Sequence, residues 1–151
     1  MKTAGIELAS GTLRVVVLEG TAASHRVALA EEVPLGESPE AVTARRRVLK
    51  SVPSQALTVG LSVSDQFLRE IRLPFASEAQ VPEVLPFEVE AHLPRPVEEM
   101  VLSWLPIRSR REEKAYLAAA VPKEVVRQAL ARLEADGVEP DSVTADWCAL
   151  E

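Results

Sequence analysis

The alternation of apolar and polar positions predicts short strands interrupted by three helices. Leu13-Arg14-Val15-Val16-Val17-Leu18 is β-branched and nearly continuous, the pattern of a buried strand. Ile6 to Ala9 precedes it across a tight turn at Ser10-Gly11. Beyond the turn chemistry of Gly20-Thr21-Ala22-Ala23-Ser24, His25 to Val33 alternates through Val27 and Leu29 and reads as a third strand. Three sequential strands with short turns make an antiparallel meander. Ser38-Pro39-Glu40 then supplies a helix start: an N-cap serine, proline at the first helical position and an acid in the first turn. That helix runs through Val42, Arg45, Val48 and Leu49 and stops near Pro53, and Ala56 to Val63 follows as a fourth strand.

Phe67 to Leu73 is a fifth strand, and Ser77 with Gln80 is a capping box for a second helix reaching about Leu93. Pro86 removes a helix hydrogen bond there and is expected to kink it. Two strands, Met100 to Arg108 and Lys114 to Val121, flank a charged hairpin. Pro122-Lys123-Glu124 opens the last helix, Gly137 ends it, and Val143 to Trp147 starts one more strand. The order βββαβ, βαββ, αβ predicts an α/β protein with a mixed sheet. One subdomain is expected from residues 1–63 and 122–151, with a βαββ subdomain, residues 64–121, inserted in it.

Composition narrows the function classes. Hydrophobic residues make up 47% of the chain but aromatic ones only 4%, so the core must be aliphatic. A net charge of −6 argues against a nucleic-acid surface. Cys148 is the only cysteine, which excludes an intrachain disulfide, fits a reducing compartment and reads as a small buried hydrophobe. Met1-Lys2-Thr3-Ala4-Gly5-Ile6-Glu7 reaches charge before any signal-peptide core forms. No apolar run approaches the roughly 20 residues that span a bilayer. The expectation is a soluble cytosolic stretch that does not itself cross a membrane.

Candidate chemistry is sparse. His25 and His92 lack partners at ligand spacing, and no G-x-S-x-G, H-E-x-x-H or P-loop motif occurs, so no catalytic residue, metal or cofactor is expected. The turn from Glu7 to Thr12 is the one segment that can cradle a phosphate, through backbone N–H groups at Gly11 and the hydroxyls of Ser10 and Thr12. The same residues make an ordinary hairpin. In the Arg45-Arg46-Arg47 run, two members can be solvated while Val42, Val48 and Leu49 face the sheet, and the run reads as a solvated face. Glu88, Glu90, Glu98 and Glu99 read as a wet edge around the Pro-containing helix. Val81, Val84, Leu85, Val89, Leu93 and Trp104 read as the core of the insert, and any exposed remainder would suit a helix or an extended peptide.

Specific motifs add a family resemblance. Gly5-Ile6-Glu7-Leu8-Ala9-Ser10-Gly11-Thr12-Leu13-Arg14 is similar to the opening Gly-Ile-Asp-Ile-Gly-Ser-x-Ser-Val-Lys of bacterial actin-like proteins of the FtsA and PilM kind. Ile71-Arg72-Leu73-Pro74-Phe75, Val84-Leu85-Pro86-Phe87-Glu88-Val89-Glu90 and His92-Leu93-Pro94 resemble the insert of type II secretion protein L (GspL). Ala118-Ala119-Ala120-Val121-Pro122-Lys123-Glu124 and Gly137-Val138-Glu139-Pro140 resemble its return to the main sheet.

The resemblance implies the first half of an actin-like (ribonuclease H-like) fold. It also implies a non-enzymatic scaffold on the cytoplasmic side of the bacterial inner membrane. Implied partners are a GspE-like secretion ATPase and other platform subunits, with a homodimer also open. Arg72, Glu88 and Glu90 are the expected partner-binding residues, as rim charges of the insert. The alternative is a PilM-like pilus protein that binds nucleotide and a membrane partner's cytoplasmic tail. A sugar-kinase-like ATPase half comes third, since no candidate base follows the fourth strand. Glu7 replaces the family's Asp and Ala9 its Gly, and nucleotide binding would need a second half. Ser10, Gly11 and Thr12 are therefore expected to be a vestigial phosphate turn.

Overall fold

A computed structural model describes residues 1–9, 11–21, 23–53, 56–62, 64, 66–73, 77–107 and 114–146. Ser10, Pro74, Phe75, the hairpin from Arg108 to Glu113, Trp147 and Cys148 lie outside the described residues. The elements are β1 (Lys2–Ala9), β2 (Thr12–Gly20), β3 (His25–Pro34), α1 (Pro39–Leu49), β4 (Leu57–Leu61), β5 (Phe67–Leu73), α2 (Val81–Glu90), β6 (Met100–Ile107), β7 (Lys114–Pro122), α3 (Lys123–Ala135) and β8 (Ser142–Ala145). They form two compact units, Met1–Val63 with Arg127–Glu151, and Ser64–Val126.

The first unit is a mixed five-stranded sheet in the order β3-β2-β1-β4-β8. β1 pairs antiparallel with β2, while β4 runs parallel to β1 and to β8. Ile6 stands opposite Val15 on one side and Val59 on the other, and all three are buried. With Leu13, Val17 and Leu57 they form the inner face of an aliphatic core, to which α1 adds Ala41, Val48 and Leu49. Just before β4, Ala56 holds a left-handed φ of 59° and its carbonyl accepts from the Ala4 N–H at 3.0 Å, opening the β1–β4 ladder.

Two details depart from simple periodicity. In β3 the pairing jumps from Val17↔Leu29 to Leu18↔Val27, leaving Ala28 as an extra residue. One inserted residue moves the side chains before it to the other face of the sheet. Val27 is thus 59% exposed, whereas Leu29 is half-buried. The second departure is Arg45. Arg46 and Arg47 are exposed, but Arg45 is buried, and its Nε donates to Asp136 Oδ2 at 2.5 Å with side-chain exposures of only 6% and 3%. Arg45 Nη1 also donates to the Gly36 carbonyl at 3.1 Å, so one guanidinium ties α1 to the preceding loop and to the residue after α3.

The second unit is an antiparallel sheet, β5-β7-β6, with α2 across one face. Val81, Leu85 and Val89 pack on Ile71, Leu73, Tyr116 and Ala118, with Leu93, Leu102 and Trp104 partly buried at the margin. Trp104 thus borders the core rather than filling it. A single 3-10 turn at Glu78–Gln80 precedes α2, and Gln80 Oε1 accepts from the Ser77 N–H at 2.9 Å. The helix continues through Pro86 and ends at Glu90, earlier than the apolar spacing suggests. His92 N–H and Leu93 N–H bond to the carbonyls of Val89 and Glu90 in a closing turn, and Pro94 disfavours a helical Leu93.

Removing one member of a buried ion pair strands the other, at a cost of about 3–5 kcal/mol. Arg45→Ala should lower the unfolding free energy by roughly that amount. Urea denaturation measures it, and a loss no greater than that of Arg47→Ala, an exposed arginine paired with Glu31, would mean that the buried pair does not hold α1. A second expectation concerns Glu40, whose carboxyl lies below the usual range because its own backbone N–H, and then the Ser38 side chain, hydrogen-bond its charged form. A lowered folded value contributes stability that is present above the ordinary carboxylate value and lost as pH falls through the lowered one. Glu40→Gln should therefore melt lower than the parent at pH 7, and the gap should close in acid.

Candidate functional site

The β1–β2 turn is built by antiparallel pairing that ends at Ala9↔Thr12, leaving a two-residue loop. Gly11 adopts φ +84°, which suits glycine, and a Cβ there would meet no atom within 4 Å. Its carbonyl accepts from the Leu35 N–H at 2.9 Å, so the chain leaving β3 fastens the turn. Thr12 is half-buried beside it. Ser10 lies outside the described residues.

The electrostatics next to this turn are already balanced. Glu7 and Arg14 face each other across the ladder, and Arg14 Nη1 lies 3.1 Å from Glu7 Oε2. Arg14 Nε donates to Glu32 Oε2 at 2.7 Å. These bonds, to Glu32 first and then to Glu7, raise the guanidinium above its ordinary value. The acid at the position of the resembling family's opening Asp therefore meets a cation of its own chain. Among the described residues no three His, Cys, Asp or Glu side chains gather as a metal site.

A pocket of about 390 Å³ opens at the other end of the parallel strands. It is lined by Leu49, Val52, Leu57 and Val138, with Glu139 and Asp141 at its rim. Asp141 is occupied structurally: its Oδ2 accepts from the Leu57 N–H at 2.8 Å and its N–H donates to the Leu57 carbonyl at 2.9 Å. That reciprocal pair sets the start of β8 beside β4.

In the second unit the three expected partner residues do not form one patch. Arg72 alternates with Ile71 and Leu73, so it lies on the sheet face away from α2, where its guanidinium pairs with Glu70 at 2.8 Å. Glu88 is exposed on α2. Glu90, half-buried at the end of α2, accepts from the Val97 N–H at 3.4 Å. Periodicity placed Val84 with the core, but it is 36% exposed, and Phe87 is 75% exposed. The phase of Val81, Leu85 and Val89 carries that information, since a residue two before Val89 falls on the far side of a helix.

A meander followed by αβ, an inserted βαββ and a returning αβ defines the first half of an actin-like fold. The chain belongs to the type II secretion system protein L family, whose model matches residues 19–151. Among solved structures, the cytoplasmic domain of EpsL, described as an inner-membrane component of the type II secretion system of Vibrio cholerae, is 21% identical with a TM-score of 0.72. This chain is covered to 99% and EpsL's to 59%. A PilM-PilN type IV pilus biogenesis complex is 20% identical with a TM-score of 0.74, covering 95% of this chain and 47% of that one. At these identities the likeness is one of fold, and this chain spans only part of either. Comparison with curated proteins gives no match. Among the described residues no helix is long and apolar enough to cross a membrane.

The occupied Glu7 and the Cβ of Ala9 generate an expectation about nucleotide. Titrating Mg²⁺-ATP into this chain by calorimetry should give no binding tighter than millimolar, with no phosphate released. A micromolar dissociation constant would show that the turn is still a working phosphate site.

Proposed function

We propose that this chain is part of the inner-membrane platform of a type II secretion system. It works on the cytoplasmic side as a scaffold that holds the secretion ATPase, and it is not itself an enzyme. The observation that carries this reading is the family match over residues 19–151. The balanced charges beside the β1–β2 turn support a holding role over a catalytic one, because Glu7 already faces Arg14. The described EpsL relative is itself a cytoplasmic domain of an inner-membrane component, which supports the same placement. A pilus role has the fold in its favour, while the family match favours secretion.

Binding is assigned to the second unit, with Arg72, Glu88 and Glu90 as charges that tune encounter with the partner. Arg72 and Glu88 are exposed, and changes at such charges rarely alter stability by more than about 0.5 kcal/mol, so their substitution separates binding from folding, whereas half-buried Glu90 also holds the Val97 N–H. The test is capture of the secretion ATPase from the same system by this chain and by Arg72→Glu, Glu88→Lys and Glu90→Lys. The parent should retain the ATPase, the variants should retain less, and their circular dichroism should match the parent's. Because Arg72 lies on the other sheet face from α2, loss confined to Glu88 and Glu90 would place the contact on the helix side. No capture by the parent would sink the scaffold reading for this partner.

A further inference from the structure

α2 turns toward solvent what its own packing does not use. Val81, Leu85 and Val89 are 3%, 0% and 2% exposed and account for the contact with the sheet. On the opposite side Phe87 is 75% exposed, with Val84 one turn before it. An isolated exposed leucine or valine is ordinary, but a phenylalanine left this open on a short helix keeps most of its surface in water. The charges are equally one-sided. Between Val81 and Glu90 there are three carboxylates, Glu83, Glu88 and Glu90, and no cation. Glu88 stands exposed in the last turn, where the helix dipole is negative and favours Lys or Arg instead, while Glu90 beside it is partly offset by the Val97 N–H it accepts from. Both departures run against the local stability of α2, and both become favourable together under a cationic, apolar cover.

We propose that the outward face of α2, Phe87 and Val84 framed by Glu83 and Glu88, is a docking surface for a basic amphipathic helix of a protein partner. The aromatic ring is the anchor, since buried aromatics carry most of the energy of such contacts, and the carboxylates form the charged rim that steers and orients the approach. α2 is about 15 Å long, which gives two turns of contact to a helix laid along it. The surface itself rests only on the geometry of α2. That its natural occupant belongs to the secretion ATPase rests on the function proposed above.

The test uses two probes on the same variants of this chain. The first is a short fluorescent helix of Leu and Lys, with a Leu and Glu counterpart as control. The Lys peptide should bind, weaken as salt rises, and lose roughly tenfold or more in affinity for Phe87→Ser. Phe87→Leu should keep most of it, Glu83→Gln with Glu88→Gln should flatten the salt dependence, and the Glu peptide should not bind. Circular dichroism should be unchanged throughout, because Phe87 lies outside the core. The second probe is the secretion ATPase. If Phe87→Ser binds the Lys peptide as well as the parent does, or the parent fails to bind it, the docking surface is wrong even where the ATPase is captured. If the Lys peptide binds in a Phe87-dependent way and the ATPase does not, the surface stands and the assignment of its partner falls.

Discussion

β1 is the strand on which the first unit depends, because it is hydrogen-bonded along both edges in two different ways. Its antiparallel partner β2 is next in sequence and costs only a two-residue loop. Its parallel partner β4 is reached only after β2, β3 and α1 have been laid down, so that ladder closes a long loop and must be rewarded by burial. Ile6, Val15 and Val59 supply that burial at one level of the sheet. β8 then depends on β4, and the mutual bonds between Asp141 and Leu57 fix where that last pairing starts. An error in the β1–β4 register would pass on to β8.

Much of this was legible in the residues. Val15 and Val17, the Ser38-Pro39-Glu40 start and the alternation of Leu57, Val59 and Leu61 each report a local preference that the fold keeps. What escaped was non-local. Arg45 looks like its neighbours in sequence, and only the arrival of Asp136, distant in the chain, makes it a buried residue. Val27 fits an alternating strand, but the extra Ala28 turns it outward, and a bulge has no reliable signature without glycine. So small an insert needs every apolar side chain for its core, yet Trp104 packs only at the margin and stays partly buried.

The candidate sites divide along the same line. Glu7, Gly11 and Thr12 could be placed in one turn from sequence, because a hairpin is a local object. Their electrical state could not, since Glu32 on β3 completes the set of carboxylates around Arg14. Arg14 is thus answered from two directions, and the charge that Glu7 presents beside the turn is set by a strand that the hairpin itself does not contain. In the second unit the reverse holds. The phase of α2 is legible in Val81, Leu85 and Val89, whereas the exposure of Phe87 follows from how those three pack on the sheet without it.

β3 ends the five-stranded sheet on one side, with ten residues whose outer main-chain groups face away from β2. Such a margin is a template on which a stray extended chain can crystallise into a growing sheet. The single surplus residue at Ala28 spoils it. It puts the backbone out of step midway, so that an incoming strand matched to one half of β3 is mismatched to the other. A small kink, invisible in composition, thereby discourages main-chain assembly along this margin of the sheet.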